Sequence, residues 1–394
     1  MVLSSVPVGY LLVVLPLYLN RAGLEPSLIG LLYSLSGLVT AGLVAFSGVL
    51  ADRFGRRGFL ILGTCLPIAS YAIFAATTEP GWLVVASLLG GVGLANGAAG
   101  ALTSASFDAL LAEYTPPRAR TRVFAWAQAL WSLALVVGSL SAGVPTWLRA
   151  LDPGINDLDA HRPPFIALIV LAAVATLLVV RLAPSPGAVP GAGGVIAGSG
   201  AGWLPARSAG MIARYALALG LFGLGLGVAV QLLPLWFALR FGADEVALGP
   251  WYAAAQVLSL SSVVLSPWLD RRLGGAMAVL GLHLVGGACL LVIALLSSTF
   301  QLAAIPFVVR NVFANFAWPL HQSLIMSAVV PEERASAAGV GFAVWGLANA
   351  VGPAVAGALI QNGSLALPLV LGSVGYALGG VAFGLGFRRI SAHG

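Results

Sequence analysis

The stretch "GVLADRFGRRG", Gly48 to Gly58, puts four charges into six positions, Asp52 to Arg57, shortly after the apolar run "LLYSLSGLVTAGLVAF". Only 8% of the whole chain is charged. Residues are 59% hydrophobic and the mean hydropathy is +0.99, whereas soluble domains hold about a quarter charged residues. Apolar runs of the roughly 20 residues needed to cross a bilayer recur from end to end. No soluble core hides that much apolar surface, so the chain reads as a polytopic membrane protein and Gly48–Gly58 as a charged junction at the membrane edge.

Composition also excludes. All 19 basic residues are arginine, the net charge is +6, and no basic cluster sits in a folded soluble segment, so nucleic acid is not an expected partner. Cys65 and Cys289 lie inside apolar runs and read as free packing residues that say nothing of redox compartment. The amino terminus lacks a basic region and a small-residue cleavage site, so "VPVGYLLVVLPLYL" reads as a first spanning helix rather than a signal peptide.

Punctuation by charge, Pro and Gly divides the chain into twelve apolar segments, at 3–20, 27–51, 59–77, 82–113, 121–146, 164–182, 211–239, 246–269, 274–297, 301–329, 335–361 and 365–387. Backbone exposed to lipid must bond internally, and these runs are too long and continuous for barrel strands, so helices are expected. The Gly/Pro-rich segment 184–209 reads as a linker between a six-helix half, 1–183, and a second, 210–394. Counted loop by loop, fourteen arginines fall on one side and four (Arg21, Arg149, Arg162, Arg240) on the other, which places both termini in the cytoplasm. Arg310 belongs to neither side.

The halves repeat one another. "LPLYLNRAG" (15–23) matches "LPLWFALRFG" (233–242), Tyr33 matches Tyr252, and "ADRFG" (51–55) matches "LDRRLG" (269–274). "PRARTR" (117–122) matches "PEERAS" (331–336), Trp131 matches Trp345, and "GSLSAG" (138–143) matches "GPAVAG" (352–357), all three at an offset of 214 residues. Parallel repeats of this kind are a transporter signature. The first helix is shorter than its twin, which points to residues upstream of Met1.

With twelve helices, two halves and "GVLADRFGRR" between helices two and three, the chain resembles the major facilitator superfamily. Gly48, Leu50, Ala51, Asp52, Arg53, Gly55, Arg56 and Arg57 meet the fixed positions of its G-x-L-A-D-R-x-G-R-R/K motif. The resemblance implies an all-α bundle of twelve spanning helices that carries a small solute by alternating access. It also implies that Asp52, with Gly48, Arg53, Gly55, Arg56 and the second-copy Asp270, latches the halves on the cytoplasmic side. A plain topology anchor is the other reading, and the one preferred for Arg57, which meets the anionic leaflet. "WGLANAVGPAVAG" (345–357) resembles the antiporter element of helix five, but here it lies on helix eleven. Helix four offers Asn96 where many drug antiporters carry arginine, and position 310, one repeat offset on, holds Arg310. That departure puts the usual proton-antiport machinery in doubt.

Few polar side chains are left to carry function. Arg310 lies roughly 15 Å into the bilayer at 1.5 Å per residue. Its guanidinium is satisfied either by backbone carbonyls and water or by an anionic substrate group. Asn96, Gln128, Gln256, Asn311 and Asn315 are candidate cavity residues, with Trp131 and Trp345 as stacking surfaces or packing. Asp108 and His321 are the candidate proton carriers; a pairing of Asp108 with Arg118, Arg122 or the arginines of Gly48–Gly58, and a structural His321, are the alternatives. His283 faces lipid or a neighbouring helix. The expected function is secondary transport in the inner (plasma) membrane by a monomer without cofactor or metal. It is efflux of apolar or amphipathic compounds coupled to protons or another ion; alternatively, uptake or exchange of a small organic anion or sugar. The absence of G-x-x-x-x-G-K-[ST] argues against ATP as the driving force. A membrane enzyme lacks any cluster of His, Cys, Asp and Glu at catalytic spacing, and a scaffold lacks loops to bind with.

Overall fold

The computed structural model describes residues 2–54, 56–92, 97–113, 115–116, 119–181 and 207–388. Within them, the side chains of residues 2, 45–54, 56–57, 104–106, 108–109, 112–113, 120–121, 125, 263–264 and 335 lie outside the description. Among the described residues the regular structure is helical. In chain order the α-helices are α1 (Val2–Arg21), α2 (Pro26–Phe54), α3 (Arg56–Ala76), α4 (Pro80–Gly90), α5 (Gly97–Glu113), α6 (Arg120–Leu140), α7 (Val144–Leu151) and α8 (Arg162–Arg181). There follow α9 (Ala209–Val230), α10 (Leu233–Phe241), α11 (Glu245–Ser259), α12 (Ser262–Leu273), α13 (Gly275–Leu291), α14 (Phe300–Ala328), α15 (Arg334–Gln361) and α16 (Ala366–Phe387).

Ten helical stretches among the described residues are long and apolar enough to cross a membrane. The remaining two expected spans are broken. Residues 82–113 divide into α4 and α5, with Gly91 and Gly97 at φ of +84° and +53°, where a side chain would be strained. Residues 246–269 divide into α11 and α12 at Leu260–Ser261, whose N–H groups turn back to Val257 and Leu258. Helices α9 and α10 also part, with Pro234 in the first turn of α10, where its missing N–H costs nothing. The chain is thus a twelve-span, all-α, multi-pass membrane protein. Leu385, Leu296 and Trp147 are each more than 70% exposed.

Two compact units are present, Met1–Ser199 with Asp244–Ala253, and Gly200–Ala243 with Ala254–Gly394. In the first, α1 packs on α6, and α3 packs on α4, α5 and α8. In the second, α9 packs on α15 and α16, and α13 packs on α14 and α16.

The two units reuse one crossing. A Cβ on Gly138 would strike the α1 backbone at Val6, Gly9 and Tyr10; one on Gly352 would strike the α9 backbone at Gly227 and Val228. These glycines are related by the 214-residue offset, so the sequence repeat is also a repeat of close helix contact. Small residues allow this approach where lipid supplies no hydrophobic drive between helices.

Candidate functional site

The core of the second unit holds a polar island. Arg310, about a third of the way along α14, is 2% exposed. Its guanidinium donates to the Tyr376 hydroxyl on α16, reaches Asn311 Oδ1 at 3.4 Å, and lies 5.2 Å from the centre of the Tyr376 ring. Gly286 on α13 makes room: a Cβ there would sit 3.0 Å from the Tyr376 ring. His283 on α13 stacks on Phe222 and His321 on α14 stacks on Phe383, both at 4.4 Å, and the two imidazoles are 5.0 Å apart. Both imidazoles are buried. Their four ring nitrogens and Arg310 Nε have no hydrogen-bond partner among the described residues.

The first unit holds a second polar cluster, built almost entirely of charges. Asp244 caps α11 by accepting the Ala247 N–H at 2.9 Å, which sets Glu245 in the first turn with its side chain fully buried. Arg21, ending α1, grips Glu245 with both guanidinium arms, at 2.6 and 2.9 Å, the planar fork for which arginine is suited. Arg21 Nε also pairs with Asp157 at 3.1 Å, and Asp157 pairs with Arg149 at 2.8 Å. His161, likewise buried, presents Nε2 at 3.5 Å from Glu245 Oε1. Burial pushes the Glu245 carboxyl up, but the neighbouring His161 imidazole and the Arg21 guanidinium outweigh it and hold it below the ordinary 4.5.

The expected cavity residues fall out as follows. Asn315 donates to Ser259 Oγ at 3.1 Å and to the Asn311 carbonyl at 2.9 Å. Gln256 is half-buried in the second unit; Gln128, exposed, and Trp131, half-buried, belong to the first. Trp345 packs 5.4 Å from Trp318, which in turn lies 6.1 Å from His321, so one edge of the island is aromatic. Asn96 and the Asp108 side chain lie outside the described residues, as do Gly55, the surroundings of Gly48, and the side chains of Asp52, Arg53 and Arg56. Asp270 is half-buried near the end of α12, where its carbonyl accepts the Gly274 N–H. The structure thus brings Arg310, Asn311 and His321 into one region. It adds His283 and Tyr376, a partner for Arg310 that the sequence reading did not name.

The family model described as Major Facilitator Superfamily matches residues 1–327. The chain belongs to the major facilitator superfamily. It is therefore a membrane transporter and not an enzyme. The solved structures similar to it include the nucleoside transporter NupG, with a TM-score of 0.73 at 15% identity over 98% of both chains. They also include a D-xylose-proton symporter, at 0.70 and 17% over 97% and 95%, and the human organic anion transporter MFSD10, at 0.63 and 17% over 97% of both. At such identities the likeness is one of fold. Among curated relatives, the multidrug resistance protein MdtH of Yersinia enterocolitica is 31% identical over 135 residues, and that of Yersinia pestis is 30% identical. The match covers 34% of this chain and 31% of each relative, so the chain matches about a third of their length.

Proposed function

We propose that this superfamily member exports apolar or amphipathic compounds, driven by a proton gradient. The observation that carries the choice is the engagement of Arg310. Its guanidinium is bonded to Tyr376, stacked on the same ring and almost wholly buried. An anionic substrate would have to displace a charge-assisted hydrogen bond and a desolvated cation–π contact together, a loss of about 3–5 kcal/mol before any gain. Aromatic faces at Trp318 and Trp345 suit flat apolar compounds better than sugars, which need many polar partners. The partial likeness to MdtH supports the same reading.

In this account the fourteen-to-four arginine bias sets the membrane orientation, both termini lie in the cytoplasm, and the chain works as a monomer in the inner (plasma) membrane. Asp52 latches the cytoplasmic side, and Asp108 and His321 are the proton-carrying candidates. A ligand panel scored by thermal shift on the purified protein tests the substrate class. Amphipathic, uncharged or cationic compounds are expected to raise the melting temperature, and small organic anions and sugars to leave it unchanged. The reverse order would favour uptake or exchange of anions or sugars.

A further inference from the structure

The Arg21–Glu245–His161 cluster lies outside the superfamily motif and does not include the candidate proton carriers Asp108 and His321. Its place in the chain is what matters. Asp244–Ala253 belongs to the first compact unit, yet the helix it begins, α11, runs on through Ala254–Ser259 into the second. The cluster fastens the start of that segment to Arg21 on α1 and sets it beside His161, all within the first unit.

His161 has an unusual hydrogen-bond problem. Its Nδ1 lies 2.7 Å from the Asp157 carbonyl oxygen, which only accepts, so Nδ1 must carry the proton. Its Nε2 is buried, has no partner in hydrogen-bonding geometry, and has the Glu245 carboxylate at 3.5 Å, which also only accepts. A neutral imidazole satisfies the first contact and turns a lone pair toward the carboxylate at the second. Only the imidazolium donates at both ends. The other charged or titratable groups at the cluster are Arg21, the Asp157–Arg149 pair, the Arg162–Asp159 pair flanking His161, Tyr18, whose ring is 5.3 Å from that of His161, and Tyr10, which feels the Glu245 charge.

We infer that His161 is the proton-binding element of a latch: its protonation clamps Asp244–Ala253 onto the first unit through Glu245, and its deprotonation loosens that segment. Glu245 does not supply the pH response at mild pH. Its carboxyl is held below 4.5, so its contribution is complete above that value and lost only as pH falls through the lowered one. Arginines and tyrosines ordinarily titrate above the imidazole window. The direction is therefore fixed: acid tightens the latch and alkali loosens it.

The inference rests on the chain being a transporter and not on which compound it carries, so its test uses no substrate. Leu248, 1% exposed within the clamped segment, becomes the reporter. In reconstituted protein with Cys65→Ala, Cys289→Ala and Leu248→Cys, the rate of maleimide labelling is measured at about pH 5.5 and about pH 8.5, with reagent reactivity calibrated on a free thiol. The corrected rate is expected to be about tenfold higher at the alkaline pH, the effect of one charge-assisted hydrogen bond. His161→Gln is expected to flatten this dependence, Glu245→Gln to give fast labelling at both pH values, and Glu245→Asp to keep the wild-type pattern. Equal rates at both pH values, or a dependence that survives His161→Gln, would overturn the latch. If Glu245→Gln fails to fold, His161→Gln and Glu245→Asp still decide the matter.

Discussion

Replacing Arg310 with methionine should cost less than its burial suggests, and the reason lies in opposing terms. The substitution removes a hydrogen bond from a charged donor to Tyr376, worth about 1.5–3 kcal/mol. It also removes a desolvated cation–π contact worth about 2 kcal/mol. Against this, it relieves the placement of an arginine at a helix centre, about 2.5–3.5 kcal/mol on insertion scales. The balance is a loss of about 1 kcal/mol. Tyr376→Phe keeps the ring but strips the buried guanidinium of its main acceptor, and should cost about 2 kcal/mol. The double variant should fall close to Arg310→Met alone, because phenylalanine leaves no orphaned hydroxyl. The cycle, read by equilibrium unfolding in mixed micelles, should therefore give a coupling of about 2 kcal/mol. Transport affinities for neutral and anionic compounds should change alike. Additive single effects, with affinity lost for anionic compounds alone, would refute the structural assignment of Arg310 and return it to the substrate.

The shared helix crossing gives a paired prediction. Gly138→Ala and Gly352→Ala should each destabilise by about 1–3 kcal/mol through backbone clash, whereas Gly281→Ala, with open space around its Cβ, should stabilise by about 0.5–1 kcal/mol; melting temperatures in detergent decide. Asp52→Asn should weaken the state latched on the arginine-rich side by about 1–2 kcal/mol. Cysteine accessibility on that side should rise, and unchanged accessibility with full transport would reduce Asp52 to a topology anchor.

The spans were legible in the sequence because lipid forces apolar runs of fixed length. The offset that relates Gly138 to Gly352 turned out to relate two helix contacts. The helix breaks were less legible: Gly91 and Gly97 act through positive φ, which composition does not reveal. The Tyr376 partner of Arg310 escaped because a lone tyrosine in an apolar run looks like packing, and 66 residues separate the pair. Glu245 escaped because it lies one residue before an apolar run and 224 residues from Arg21. A signal for it existed. Seven of the thirteen acidic residues, Glu25, Glu79, Asp152, Asp157, Asp159, Asp244 and Glu245, fall on the side that receives only four arginines. An excess of carboxylates there asks for ion pairs, and the structure supplies them.

The central claim, proton-driven export of apolar compounds, is tested most directly by flux into proteoliposomes holding the purified protein, with a fluorescent amphipathic cation and an imposed pH gradient. The dye should accumulate against its own gradient on the acidic side, and accumulation should vanish with a protonophore. The double variant Asp108→Asn, His321→Gln should keep downhill exchange and lose the uphill component. Dye movement that ignores the pH gradient in the wild-type protein would contradict the account.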